Sequence, residues 1–273
     1  MGRHTAAGAG GRDDDEIPRT GGMKAWKAIL ADGISAAYGH LRPLGDAAGC
    51  RVLMYHALGT KVDGDKLRVY SIEPARFRQQ MDCLTALGRE RIVGLDAGIE
   101  ACAGLVITFD DGYRDTLTVA APLLVELGFP FSVFVAPGLV RSRDQRYLSE
   151  NELRELSSLP GVNIGAHGDS HCRLTDCDDR KLSNELSYSR AWLEDVLARP
   201  VTTMSYPHGA VDGRVRSAAA AAGYSLAACS RFGAHPSGGD PLLIARTDIW
   251  AQDDVTRFNA KLAGRWDWMK WRT

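Results

Sequence analysis

Two adjacent carboxylates and a spaced pair of histidines are the residues whose types and spacing best suit chemistry in this 273-residue chain. Asp110 and Asp111 end the run Thr108-Phe109-Asp110-Asp111-Gly112. On a continuous strand, neighbouring side chains point to opposite faces. At a strand end the chain bends, and Gly112 permits an unusual backbone there, so both carboxylates can face one cavity. Like charges in one cavity repel unless a cation is present. The same Asp-Gly pair also reads as an ordinary turn. His167 and His171 bracket Gly168-Asp169-Ser170. Gly165 and Gly168 argue for a strand entering a tight loop rather than a helix. Two neutral imidazoles plus one carboxylate make a metal site with positions left open for water and substrate. A surface loop would hold the same pair without a metal. Thiolate ligation by Cys172 or Cys177 would close such a site, and both read as packing residues.

These residues need elements to position them, and the chain alternates strand and helix from residue 50 onward. Apolar, β-branched runs occur at Val52–Tyr55, Arg91–Leu95, Leu105–Phe109, Phe131–Ala136, Val162–Ala166, Val201–Tyr206, Tyr224–Ala228 and Leu242–Ile249. Helical patterns lie between most of them. Ser71 precedes Glu73-Pro74 and opens a helix to Gly88. Ser149 with Glu152 forms a capping box for a helix to Leu159. Asp176 opens a stretch to Ala198, and Asp212 opens one to Gly223. Repeated strand-then-helix order implies parallel strands with right-handed crossovers. Seven or eight such units suggest a closed or nearly closed barrel, with an open doubly wound sheet as the alternative. Such folds place chemistry at the C-terminal ends of strands. Tyr55-His56, Asp110-Asp111, His167 to His171, Tyr206-Pro207-His208-Gly209, and Arg246 with Asp248 all fall at those ends.

Composition narrows the classes. Hydrophobic residues make up 45% and charged residues 25%, which excludes a disordered or fibrous chain. Lys and Arg number 33 against 34 Asp and Glu, and a net charge of −1 argues against a phosphate-gripping nucleic-acid binder. No uncharged apolar run approaches the ~20 residues of a membrane span. Six scattered cysteines with no C-x-x-C pair read as reduced thiols. Residues 1–22 read as a disordered extension, and 23–49 as a helical segment packing on the main domain. Asp32 interrupts its apolar part, so export is not expected and the location is read as cytoplasmic. In the C-terminal tail, 251–273, Trp266, Trp268 and Trp271 beside Arg265, Lys270 and Arg272 suit a peripheral contact with the inner membrane or a partner protein. A tail folded back over the barrel is the other reading.

TFDDG at 108–112, HGDSH at 167–171 and SYPHG at 205–209, in that order, resemble the polysaccharide deacetylase family (NodB homology, carbohydrate esterase family 4). LMYHAL at 53–58 and LLIARTDI at 242–249 look like flanking motifs of its bacterial exopolysaccharide-type branch. The resemblance covers residues 50–250. It implies an α/β fold, a distorted (β/α) barrel of about seven parallel strands. It also implies metal-dependent removal of N-acetyl groups from the amino sugars of an N-acetylated glycan or glycan precursor. Carried over by position, Asp110 matches the catalytic base, and Asp111, His167 and His171 match the metal ligands. Tyr206, Pro207, His208 and Gly209 match the groove wall, where the backbone N–H at His208 helps hold the oxyanion. His56 is read with that wall as substrate-binding. Zinc is the first choice of metal, and cobalt, nickel or iron suit the same ligands. Three positions depart from the family. Gly168 stands where Ser or Thr is usual. Ser205 stands where an Arg is frequent, and His208 where an aromatic is. The late Leu-x-His motif that supplies the general acid is absent, with Arg246 in the matching region and counted, with Asp110 and His208, among the catalytic residues. That leaves His208, His235 and His56 as proton donors to weigh. A formamide or cyclic-amide hydrolase on the same barrel, and a non-catalytic glycan-binding homologue, are the competing readings.

Overall fold

The computed structural model describes residues 30–38 and 49–271, with the side chain of residue 271 excepted. The expected extension 1–22, both ends of segment 23–49, and Trp271 as a side chain lie outside the described residues. Among the described residues, seven strands run in parallel: β1 (Arg51–Tyr55), β2 (Leu105–Phe109), β3 (Phe131–Val135), β4 (Val162–Ala166), β5 (Thr203–Ser205), β6 (Leu226–Phe232) and β7 (Ile244–Asp248). They pair in chain order, and β7 returns to β1, closing a barrel. The distorted (β/α) barrel expected from the motifs is the fold observed, and the open sheet is not. Every residue of β1, β2 and β3 is buried, as a parallel sheet covered on both faces requires. The seam between β4 and β5 is thin, with the single pair Ala166 and Met204, and β6 shifts register against β7 between Ala228 and Phe232.

Helices α1 (Pro74–Leu87), α2 (Leu95–Ala101), α3 (Ala121–Leu127), α4 (Pro137–Arg141), α5 (Glu150–Ser158), α6 (Asp179–Leu197), α7 (Gly213–Ala221) and α8 (Val255–Leu262) surround the sheet. The capping box at α5 forms, with Ser149 accepting from the Glu152 N–H and Glu152 accepting from the Ser149 N–H. Asp212 caps α7 through the Val215 N–H. Asp178, rather than Asp176, caps α6, because residues Leu174–Asp176 form a separate 3-10 turn.

One expected strand is absent. Arg91–Leu95 makes only the bridge of Ile92 to Leu105, and Leu95 opens α2. The register of β2 explains this. Pairing with β3 begins at Ile107, so Leu105 has a free edge where the Val93 N–H can donate to its carbonyl. Beyond that point β3 occupies the edge and no further strand fits.

The C-terminal segment folds back against β6 and the residues that follow β7. Trp266 and Trp268 are buried and pack with Phe232, Trp250 and the helical segment 30–38, where the Trp268 indole N–H donates to Ser35 Oγ at 2.9 Å. Asp267 forms a two-pronged bond with Arg51 of β1, at 3.0 and 3.1 Å. These burials correct the expectation of a peripheral membrane or protein contact through Trp266 and Trp268: the indoles cover the protein's own apolar surface. No helix among the described residues is long and apolar enough to cross a membrane.

A buried ion pair anchors this end. Lys261 Nζ lies 2.5 Å from Asp253 Oδ2 with neither side chain exposed, and 3.6 Å from the centre of the Trp250 ring. Removing one member of a buried pair strands the other charge, at roughly 3–5 kcal/mol. Asp253→Ala is therefore expected to lower the denaturation midpoint strongly in a urea titration, whereas the double change with Lys261→Met should recover much of the loss. A single variant as stable as the parent would contradict the buried-charge argument.

Candidate active site

The polar strand ends meet at the C-terminal mouth of the barrel. Asp110 is the first residue past β2, and its N–H still donates to the Tyr55 carbonyl of β1 at 2.9 Å. His167, the first past β4, donates its N–H to Val135 of β3 at 2.9 Å, and Tyr206 past β5 donates to Ala228 of β6 at 2.9 Å. The ladder thus extends one residue into each loop, which fixes the backbone from which these side chains project. The chain then turns sharply. Asp111, His171 and His208 all take left-handed backbone angles, with φ of 72°, 59° and 57°. Non-glycine residues held there cost on the order of 1–3 kcal/mol each. Gly112, at φ 75°, completes the turn that brings Asp111 round beside Asp110.

Asp111, His167 and His171 present donor atoms that all lie within 4.8 Å of one another. Asp111 Oδ1 is 3.3 Å from His167 Nε2 and 3.0 Å from His171 Nε2. His167 Nδ1 lies 2.8 Å from the Ser205 carbonyl oxygen, and that bond requires the proton on Nδ1. In the neutral ring, Nε2 then offers a lone pair towards a carboxylate oxygen, an arrangement that calls for a cation or proton between them. The donor set therefore fits a divalent metal. Burial by itself would raise the Asp111 carboxyl, but His167 and His171, when protonated, outweigh it as hydrogen-bond donors and hold it well below the ordinary carboxylate range.

Asp110 is buried and differently engaged. Its Oδ1 accepts from Arg246 Nη1 at 2.7 Å, and its Oδ2 from Arg246 Nη2 at 2.8 Å and Ser205 Oγ at 3.2 Å. Burial again opposes ionisation, while Arg246 and then His167 lower the carboxyl below its usual value. Arg246 itself is saturated. Nε donates to the Cys229 carbonyl, Nη1 also reaches Thr108 Oγ1, and Nη2 also donates to Ser205 Oγ. A guanidinium has five N–H groups, and these five contacts account for them. Arg246 is thus a positioning residue for Asp110, with no donor left to offer a leaving amine. That refines the expectation that placed it among the catalytic residues.

The expected groove wall divides. Tyr206 is fully buried, and its hydroxyl donates to the Leu242 carbonyl at 2.9 Å; Pro207 is buried beside it. Both belong to the core under the loop, which corrects their reading as substrate-binding side chains. Gly209, also expected at the substrate, serves the backbone: a Cβ there would lie 2.5 Å from Ser230 Oγ. His208 does sit at the mouth, its ring 4.6 Å from that of His171 and its Nε2 3.2 Å from the His171 carbonyl oxygen. His235 is at the opposite end, exchanging backbone bonds with Cys50, which precedes β1.

His56 follows β1 and packs at a tilt against Tyr70, with 4.4 Å between ring centres. Its Nδ1 is buried without a hydrogen-bond partner. Asp248, at the end of β7, pairs in register with Met54 and has one carboxylate oxygen buried and unpartnered; the other accepts from the Trp250 indole at 2.7 Å. Burial raises the Asp248 carboxyl, against opposing pulls from His56 and Lys261.

Two supporting residues carried no sequence signal. Glu185, in the middle of α6, accepts the N–H groups of Asp169 and Ser170 at 2.8 Å each and the Ser170 hydroxyl at 2.6 Å. It grips the loop between the two histidines. Asp115 accepts the N–H groups of Leu58 and Thr60 at 2.8 and 3.1 Å, holding the loop that begins at His56. Both contacts span elements far apart in the chain, so no local pattern announces them.

Residues 100–227 match the family model described as polysaccharide deacetylase. Over those residues the chain is similar to polysaccharide deacetylases. It is 26% identical over 192 residues to YxkH of Bacillus subtilis (strain 168), a protein named as a polysaccharide deacetylase, covering 67% of this chain and 65% of that one. The chain thus spans about two thirds of the length of that curated relative. Solved structures share the fold. The Streptococcus pyogenes deacetylase PplD in complex with acetate aligns with TM-score 0.67 and 20% identity, over 78% of this chain and 97% of that one. BC0361, a polysaccharide deacetylase from Bacillus cereus, aligns with TM-score 0.69 and 22% identity, over 78% and 69%. IcaB from Ammonifex degensii gives 0.63 and 20%, over 81% and 98%.

Supports of this kind typically change metal affinity by about 10–100-fold when removed. Glu185→Ala is expected to weaken zinc binding within that range by calorimetry while the far-ultraviolet circular dichroism stays unchanged. Undiminished affinity would mean that the loop holds its shape without the helix.

Proposed function

We propose that this chain is a metal-dependent N-deacetylase acting on the N-acetylated amino sugars of a polysaccharide or glycan precursor, in the exopolysaccharide-type branch suggested by segments 53–58 and 242–249. The observation that carries the reading is the pairing of two carboxylates in unlike surroundings: Asp111 against two imidazoles, Asp110 against a guanidinium. Asp111, His167 and His171 would hold the metal, zinc by preference with cobalt, nickel or iron as alternatives. Bound there, the ion would polarise the acetyl carbonyl and lower the pKa of the attacking water.

The protein's own groups then divide the work. Asp110 accepts a proton from the water at a carboxylate oxygen; a carboxylate has about four lone-pair sites, so the three bonds from Arg246 and Ser205 leave capacity. Arg246 holds that carboxylate ionised and aimed. The His208 N–H, on the loop that lies against His171, would face the developing oxyanion. The amine must gain a proton to leave. His56 is the donor we assign, since its ring sits at the mouth beside Asp248, and each has a buried polar atom in want of a partner. Asp248 would orient the ring.

Acetate release from N-acetylglucosamine oligomers tests the function as a whole; free, nucleotide-linked and lipid-linked substrates would sort the glycan class. No release from any of them, with zinc bound, would favour a glycan-binding homologue, and release from a formamide or cyclic amide alone would favour the other hydrolase.

The two aspartates are expected to fail differently. Asp111→Asn should lose bound metal in elemental analysis. Asp110→Asn should keep it, with turnover down by roughly 10²–10⁴. The opposite pattern would reverse the assignment.

The proton donor can be separated from the rest by leaving group. His56→Ala should depress hydrolysis of an N-acetyl sugar by roughly 10²–10⁴, yet leave 4-nitrophenyl acetate cleavage within a few-fold, because nitrophenolate departs unprotonated. Equal losses on both substrates would remove His56 from the proton-donor role.

A further inference from the structure

We propose that Cys172 and Cys177 are a disulfide-forming pair, a covalent modification site that staples the segment leaving His171. Their sulfurs lie 3.4 Å apart, in direct contact. A disulfide requires about 2.0 Å, so closure asks for a contraction of little more than 1 Å, within the reach of side-chain rotation. The chain between them is already folded back. Leu174–Asp176 form a 3-10 turn, the Asp176 N–H donates to Arg173, and the Cys177 N–H donates to Leu174.

The surroundings fix the pair on both sides. Upstream, Glu185 grips Asp169 and Ser170. Downstream, Arg214 of α7 donates to the carbonyls of Thr175 and Cys177 at 3.2 and 2.9 Å. Between these two clamps the sulfurs have little freedom to separate. Cys172 is part-exposed and Cys177 buried, so a small oxidant meets Cys172 first. Neither sulfur is needed by the Asp111, His167 and His171 cluster, and the inference stands apart from the proposed activity.

The oxidant is a low-molecular-weight disulfide, RSSR. The Cys172 sulfur attacks one sulfur of RSSR, forming a mixed disulfide and releasing the first RSH. The Cys177 sulfur then attacks the Cys172 sulfur, forming the protein disulfide and releasing the second RSH. Two protein thiols are oxidised, one RSSR is reduced, and the two thiol protons leave with the two RSH molecules.

Tryptic mapping reads the outcome directly. Cleavage after Arg154, Arg173 and Arg180 puts Cys172 on the peptide 155–173 and Cys177 on 174–180. After the full chain is treated with oxidised glutathione, these two peptides are expected as one linked species, lighter than their sum by two hydrogens and split again by dithiothreitol. Cys172→Ser should abolish the linked species and leave Cys177 as a free thiol. Hydrogen exchange on the intact protein should show the amides of residues 174–177 slowed by about tenfold or more in the oxidised form, as a shortened ring suppresses local opening. Persistence of both free thiols, or glutathione retained on Cys172 without ring closure, would each overturn the proposal, as would unchanged exchange in the linked form.

Discussion

Closure of the sheet by β7 on β1 is the constraint from which the site follows. Pairing of Val52 with Arg246 and Met54 with Asp248 carries the last strand to the side of the first. From there Arg246 reaches Asp110 on the loop after β2, across 136 positions of sequence. In an open sheet the same guanidinium would be buried without a counter-charge, or would drag its strand into water. A buried charge left unpaired costs several kcal/mol, so barrel closure and ion-pair formation support each other. Polarity inside the barrel is correspondingly complete around Arg246: Thr108, Ser205 and the Cys229 carbonyl take the donors that Asp110 leaves.

That arrangement separates two carboxylates that are chemical twins in sequence. Asp110 faces a permanent cation and Asp111 faces two groups that can give up protons. The first is favoured as a carboxylate, and the second is suited to share a cation with its imidazoles. Adjacent positions acquire these unlike environments because the chain turns into the left-handed region at Asp111. The strain recurs at His171 and His208, on the two other loops that meet there. It is borne by the ladder bonds beneath and by side chains reaching in from the helical layer, Glu185 to the histidine loop and Asp115 to the loop after β1. Rigid backbone below and carboxylate grips from outside hold the mouth in a shape the loops would not adopt alone.

Much of this was legible in the chain. Alternating strand and helix patterns, the caps at Ser149 and Asp212, and TFDDG followed by His-x-x-x-His announced a parallel barrel and a cluster at strand ends. These are local signals: capping is settled within one turn, and a motif carries its own loop geometry. The strand expected at 91–95 failed because its propensity was real but the edge of β2 had room for one bridge only. Tyr206 and Pro207 were assigned to a groove by alignment, yet burial depends on what lies behind a loop, which a motif does not encode.

By itself, then, the sequence determined the strand-and-helix order, the residue types at the mouth and the spacing of His167 and His171, since each rests on contacts between near neighbours. Only the tertiary structure decided that Arg246 serves Asp110, that His56 and Asp248 end at the same mouth, that Glu185 and Asp115 support the loops, that Trp266 and Trp268 are buried and that two cysteines touch. Those relations join residues tens to hundreds of positions apart. They exist because a sheet closed on itself makes its first and last strands neighbours, a relation no stretch of sequence contains.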